Sequence, residues 1–298
     1  MRSEEASLRS EGQVSLHGSR AAPVLRCGRF TLSLARPLIM GVVNVTPDSF
    51  SDGGRYADPA TAIAQARRLV AEGADIVDIG GESSRPGAAP VSAREELERV
   101  LPVLDALRDV ALPVSIDTVK PQVMRVALEH GASMVNDITA LRAQGAAEAV
   151  AASGAAVCLM HMQGEPRTMQ REPRYEDVVE EVKAYLAGRA AAAEAAGIDR
   201  ERIVLDPGFG FGKTVAHNLA LLRGLASLAA LGYPVMAGLS RKSTLGAITG
   251  RPAGERMPAS AAAALLAVQR GARIVRVHDV AATRDALAIL AAVDGQVA

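Results

Sequence analysis

The chain has 298 residues, 49% of them hydrophobic, and its 33 basic residues balance 33 acidic ones. That is enough apolar material for one large α/β domain or two smaller ones, and zero formal charge argues against a general nucleic-acid binder. No apolar run reaches bilayer-spanning length, and Cys27 and Cys158, far apart and outside any CxxC, suggest neither a disulfide framework nor a zinc site.

In chain order, residues 1–24 mix charges with small polar residues and lack the apolar core of a secretory signal. They are expected to be a disordered extension, and the protein to be cytoplasmic. Residues 25–298 read as one domain. "RCGRFTLSL" alternates as a short β-hairpin would, placed to close the N-terminal end of whatever sheet follows. Apolar runs then begin at Leu38, Ala74, Pro113, Ser133, Ala155, Arg202, Pro234 and Arg273. Each is almost continuously apolar, as expected of strands buried on both faces of a parallel sheet. Between them lie segments of helical spacing, and Gly73, Gly131, Gly154, Gly197, Gly232 and Gly271 stand where helices would stop. Eight βα units over this length predict a single (β/α)8 barrel. An open doubly wound sheet is the rival, but it has no reason to stop at eight.

In such barrels chemistry sits at the C-terminal ends of the strands. Those ends read Asn44, Gly80-Gly81-Glu82, Asp117, Asn136-Asp137, His161, Asp206, Ser240 and His278-Asp279, a rim far more polar than the opposite one. Asp117, Asn136 and Asp206 would converge inside the mouth, where carboxylates and an amide suit a flat heterocycle with several N–H donors. Arg85, Lys242, Arg276 and His278 gather on the same rim, near the loops that hold phosphate in this fold, and suit an anion such as diphosphate.

"DPGFGFGKT", from Asp206 to Thr214, is neither a Walker A loop, because Pro207 stands where glycine is required, nor a GxGxxG turn. Its glycines are expected to give a mobile or tightly turned loop, with Phe209 and Phe211 offering faces to an aromatic ligand. Asp48 and Asp52 lack EF-hand spacing, and no HExxH occurs. The loop "NVTPDSFSDGG", with Asp48, Ser49 and Asp52, is expected to close over a charged guest, leaving open which carboxylate touches it.

Taken together, "GVVNVTPDSFSDGG", "DIVDIGGESSRPGA", "SIDT", "VNDI", "LMHM", "LDPGFGFGKT", "GLSRKS" and "RVHDV" resemble the dihydropteroate synthase family over about residues 25 to 295. The resemblance implies a C–N bond-forming transferase of folate biosynthesis, a sulfonamide target. It would join 6-hydroxymethyl-7,8-dihydropterin diphosphate to 4-aminobenzoate with Mg²⁺, and would be a homodimer paired through its outer helices, with no nucleic-acid or membrane partner. By the same resemblance Asp117, Asn136, Met160, Asp206, Lys242 and Arg276 contact the pterin, with Met160 and Arg276 on either face of the ring. Asn44 is the metal-linked position, and Asn44, Arg85, Arg276 and His278 hold diphosphate. Asn44, Lys242, Arg276 and His278 are thereby the expected catalytic residues. Ser84, Arg85, Pro86, Phe211 and Ser243 form the aminobenzoate pocket. Ser84 departs from the threonine of many members, which keeps the hydroxyl and removes a methyl from the pocket. Two other readings stay open: a non-catalytic pterin-binding paralogue, and the pterin domain of a corrinoid-dependent methyltransferase.

Overall fold

The structure, a computed structural model, describes residues 23–46, 58–83 and 87–295. It opens with an antiparallel hairpin, β1 (Val24–Cys27) and β2 (Phe30–Ser33). The barrel strands are β3 (Leu38–Asn44), β4 (Ile76–Gly80), β5 (Val114–Asp117) and β6 (Met134–Asp137), then β7 (Ala156–Met160), β8 (Ile203–Asp206), β9 (Val235–Ala237) and β10 (Ala272–Val277). All pair in parallel in sequence order, and β10 returns to β3 to close the sheet. The expected (β/α)8 barrel is therefore present. No helix among the described residues is long and apolar enough to cross a membrane.

Strict alternation along each strand builds two cores. Leu38, Met40, Ile76, Met134, Cys158, Val204, Met236 and Ile274 fill the barrel interior, and the hairpin's Leu25 and Cys27 pack against the same cluster. The hairpin thus plugs the N-terminal end, as its pattern suggested. Ile39, Val43, Val77, Ile79, Ile116, Val135, Val157, Leu205 and Val275 face outward into the layer between sheet and helices. Both cysteines are buried and free, and burial pushes the Cys27 thiol up to about 12 and that of Cys158 well above its usual range.

The helices begin where the sequence supplies caps. In α1 (Pro59–Ala71) the Asp58 side chain accepts from the backbone N–H groups of Ala60 and Thr61, and in α2 (Ala93–Ala106) Ser92 accepts from Glu95. The chain continues through α3 (Pro121–Glu129), α4 (Ala146–Ser153) and α5 (Val178–Ala195). The segment after the sixth barrel strand forms two helices, α6 (Val215–Arg223) and α7 (Leu225–Ala229). They break at Gly224, where a Cβ would stand 2.9 Å from Val179 of α5, so the close approach of the helices excludes a side chain. The barrel ends with α8 (Ser243–Thr249), α9 (Met257–Gln269) and α10 (Val280–Val293).

Candidate active site

The inward parity that places Met40, Ile76 and Met134 in the core brings a different set of residues inside at the strands' C-terminal ends. Gly80, Asp117, Asn136, Met160, Asp206, Gly238 and Arg276 follow the same alternation. One cavity is lined by Asp117, Asn136, Met160, Asp206, Phe211, Lys242 and Arg276, together with Ile138, Gly208, Phe209 and Gly238. Every residue expected to hold the pterin lines it.

A buried charge network forms the floor. Arg276 donates from Nε to Asp78 Oδ2 at 2.6 Å and from Nη2 to Asp117 Oδ2 at 2.7 Å. Asn136 Nδ2 donates to the same Asp78 oxygen at 3.0 Å. Asp78 is wholly buried and its Oδ1 has no hydrogen-bond partner. Burial alone would lower the pKa of Arg276, yet Asp78 and Asp117 hold it above its usual value. Asp117 is raised, first by burial, with Arg276 opposing and Asp78 adding to the rise. Asp206 is also raised by burial, against the Gly208 N–H that reaches its Oδ1 at 2.7 Å.

This network decides which atoms face the cavity. Asp117 has one oxygen engaged by Arg276 and Asp206 has one engaged by Gly208, so Asp117 Oδ1 and Asp206 Oδ2 remain as acceptors. Asp78 Oδ2 accepts from the Asn136 amide nitrogen, so the Asn136 carbonyl oxygen is turned away from it. Three converging acceptors call for a ligand with several N–H donors. The opposite side of the cavity is cationic: Lys242 Nζ lies 4.1 Å from the centre of the Phe211 ring. Burial, followed by Arg276, draws the Lys242 pKa down to about 8.

The glycine loop is tightly turned. Gly208 takes φ +68°, and a Cβ there would overlap the His161 carbonyl oxygen; one at Gly212, φ +62°, would stand 2.5 Å from the Gln163 carbonyl oxygen. The two phenylalanines also divide. Phe209 is 1% exposed and belongs to the layer between sheet and helices, whereas Phe211 packs with Ile138, Met160, Met162 and Met169 at the cavity. Both phenylalanines reach the cavity lining, Phe209 from the layer beneath the helices and Phe211 from the cluster at the mouth.

On the phosphate side, Arg241 is held bidentately by Asp279, at 2.6 and 3.1 Å, while its neighbour Lys242 turns into the cavity. His278 takes a different form from the cation expected. Burial, then Arg276 and Arg241, lowers its pKa to about 3, so the ring is neutral. The His278 N–H donates to Ser240 Oγ at 3.2 Å, and the Ser240 hydroxyl lies 3.0 Å from Nδ1. Ser240 thus holds both the backbone and the ring of His278, fixing the orientation of a neutral imidazole.

Asn44 ends β3 beside Gly80, half-buried, outside the cavity lining. Ser243 is exposed at the start of α8 and also lies outside that lining. Asp48, Ser49, Asp52, Ser84, Arg85 and Pro86 lie outside the described residues. Asp137, grouped with Asn136 at the strand end, faces the opposite way and accepts from Thr139 and Leu141, a turn rather than a ligand contact. Asp78 was missed from the site. Its signal was a carboxylate inside the apolar run "ADIVDIGG", a placement that costs free energy unless the charge is paired.

These features define a (β/α)8 barrel whose strand-end cavity joins several acceptor side chains to a buried arginine and a lysine, a lining suited to a flat ligand rich in N–H groups. The family model described as "Pterin binding enzyme" matches residues 40–278, and the chain belongs to that family. A dihydropteroate synthase of Neisseria meningitidis serogroup B is 53% identical over 276 residues, covering 90% of this chain and 97% of its own. The dihydropteroate synthase of Xanthomonas albilineans with 4-aminobenzoic acid superposes with a TM-score of 0.87 at 54% identity, over 92% of this chain and 98% of that one. The same organism's synthase in complex with 7,8-dihydropteroate gives a TM-score of 0.84 at 51% identity, over 91% and 99%. Within the pterin-binding enzymes, the chain is a member of the dihydropteroate synthases.

Breaking the floor tests its weight. Asp78→Ala removes the shared acceptor of Arg276 and Asn136, and is expected to destabilise the fold by about 3 kcal/mol, as for a buried ion pair that loses one partner. Urea unfolding monitored by circular dichroism measures this; a loss below about 1 kcal/mol would mean that Asp117 alone carries the guanidinium.

Proposed function

We propose that the chain condenses 6-hydroxymethyl-7,8-dihydropterin diphosphate with 4-aminobenzoate, releasing diphosphate and 7,8-dihydropteroate. The observation that carries this reading is that three acceptor side chains, Asp117, Asn136 and Asp206, line one cavity together with Lys242 and Arg276. An aminopterin edge offers the N–H groups those acceptors need. Relatives in the same family have been solved with 4-aminobenzoic acid and with 7,8-dihydropteroate, which supports the same chemistry here.

In this reading the ring lies between Met160 and the guanidinium of Arg276. Two carboxylates hold that guanidinium, so its plane is set before the substrate arrives. The exocyclic methylene then loses its bond to the diphosphate oxygen, and the electron pair leaves with diphosphate. The arylamine lone pair forms the new C–N bond and its nitrogen gives up one proton. An arylamine is neutral at pH 7, so attack needs no strong general base. The enzyme's task is to orient both reactants and stabilise the leaving charge. Lys242 and Arg276 supply fixed positive charge, and His278 supplies a neutral imidazole. Arg85 would add a second guanidinium, and Ser84, Arg85, Pro86, Phe211 and Ser243 would receive the aminobenzoate. Asp48, Ser49 and Asp52 belong to a loop read as closing over the reactants.

Magnesium is assigned to Asn44. Among the described residues no group of three or more His, Cys, Asp or Glu side chains could hold a metal. An amide oxygen is a hard donor, and Asn44 would hold an ion that keeps several waters and is shared with substrate phosphates. Such an ion would neutralise developing charge on the departing diphosphate. A cytoplasmic location agrees with two buried, unpaired cysteines. A homodimer through the outer helices agrees with the exposed apolar side chains Ile248, Met257, Leu266, Ile289 and Val293, carried by α8, α9 and α10 in succession.

The deciding assay measures diphosphate release by the purified protein with Mg²⁺. Release is expected to require 4-aminobenzoate and to match dihydropteroate formed. Pterin binding without turnover would instead support a silent paralogue, and methyl transfer to a corrinoid would support the methyltransferase reading.

Lys242 works as an ammonium, and its pKa near 8 gives the pH dependence a sign: kcat/KM is expected to fall about tenfold per pH unit above that value. Lys242→Arg should move this limb upward and Lys242→Ala should remove most turnover; an unmoved limb in the arginine variant would assign the titration elsewhere. Light scattering is expected to give the mass of two chains at micromolar concentration, and a monomer there would remove the dimer from the proposal.

A further inference from the structure

The glycine loop between β8 and α6 encloses a cation that the reaction set out above does not use. Lys213 is 3% exposed. Its Nζ lies 3.0 Å from the Gly208 carbonyl oxygen, 2.9 Å from that of Phe211 and 3.0 Å from His161 Nδ1, with the His161 carbonyl oxygen at 3.4 Å. Among the described residues no carboxylate pairs with it in a salt bridge. A buried ammonium with no carboxylate in direct contact, and only the field of Asp206 to offset burial, is costly, and an apolar side chain of equal length would avoid that cost.

What the ammonium alone can do is bind several acceptors at once. Those acceptors come from two loops, the one after β7 (His161) and the one after β8 (Gly208 and Phe211). Other contacts complete the tie. Gly210 N–H donates to Asn218 Oδ1 at 2.8 Å, the Tyr175 hydroxyl donates to the Gly212 carbonyl at 2.8 Å, and Gln170 Nε2 donates to the Gly210 carbonyl. Phe211 N–H also donates to the Gly208 carbonyl at 3.1 Å, so both backbone groups of Phe211 are held. Its ring lies against Lys242 Nζ, 4.1 Å from the ring centre.

We propose that Lys213 is a positioning residue for the second substrate: its ammonium clamps residues 208–211 to His161 and so holds Phe211 as the fixed wall of the aminobenzoate pocket. The proposal rests on the assignment of Phe211 to that pocket. A residue serving only stability would weaken both substrates together when removed. A clamp on Phe211 weakens aminobenzoate more than the pterin, because Asp117 and Asn136 stand on β5 and β6, away from the clamp, and only Asp206 and Met160 adjoin the tied loops.

The test is steady-state kinetics of the full chain with each substrate varied. Lys213→Met is expected to raise the KM for aminobenzoate about tenfold and that for the pterin diphosphate less than about threefold. In a Phe211→Ala background the same change should move the aminobenzoate KM less than about twofold, since both substitutions act on one wall. An unchanged aminobenzoate KM, an equal loss for both substrates, or losses that multiply in the double variant would overturn the proposal. Lys213→Gln keeps two N–H donors for the several acceptors and covers the case in which the methionine variant does not fold. It is expected to raise the aminobenzoate KM about threefold; a wild-type KM, or failure of this variant also to fold, would return Lys213 to a purely structural role. Unsubstituted protein run alongside separates the two ideas: its turnover supports the reaction, whatever the variants do, and its silence would count against the reaction itself.

Discussion

The site depends on a guanidinium held below the mouth of the barrel. Arg276 lies between Asp78 and Asp117, on strands that would otherwise present two carboxylates to each other across a closed interior. Neither carboxylate is tolerable there without the cation, and the cation is not tolerable without them. Their mutual need sets the order of the atoms above. Asp78 takes the Asn136 amide nitrogen, Arg276 takes one oxygen of Asp117, and the remaining acceptors are left facing the cavity. Ligand preference is therefore prepared one layer beneath the ligand.

A second cationic arrangement governs the other side of the cavity, and it is built differently. Arg241 and Lys242 are adjacent in sequence, yet Asp279 captures the first and leaves the second to enter the pocket. Burial draws Lys242 toward neutrality and leaves His278 uncharged, so the diphosphate would meet a mixture of fixed charge and a neutral imidazole. In a site shielded from water such preset dipoles and charges need little rearrangement as the leaving group separates. The tightly tied glycine loop serves the same end by holding Phe211 against Lys242.

The alternation that buries Met40 and Ile76 also turns Asp78 and Gly80 inward, so fold and site are consequences of one parity. That is why the strand ends could be read so far from the sequence. Asp117, Asn136, Met160, Asp206 and Arg276 are strand residues of inward parity, and all line one cavity. Asp137, one position out of phase, became part of a turn. Loop residues follow no such rule. Phe209 and Phe211 have the same parity in a glycine-rich segment and both line the cavity, yet they belong to different apolar clusters, because the turns between them are set by φ values available to glycine.

The sequence by itself determined the barrel, its plugging hairpin and the inward-facing residues of its mouth, because burial on both faces and a period of two leave a strand few choices. Its long motifs also carried the family resemblance that the relatives bear out. Tertiary structure alone decided that Asp78 anchors Arg276, that His278 is neutral, that Arg241 is captured while Lys242 is not, and that Lys213 is enclosed by carbonyl groups. Each of these depends on a partner from another strand or loop, and on how far that partner is removed from water. Local patterns record which face a residue takes, whereas charge state and pairing arise only once distant elements close around it.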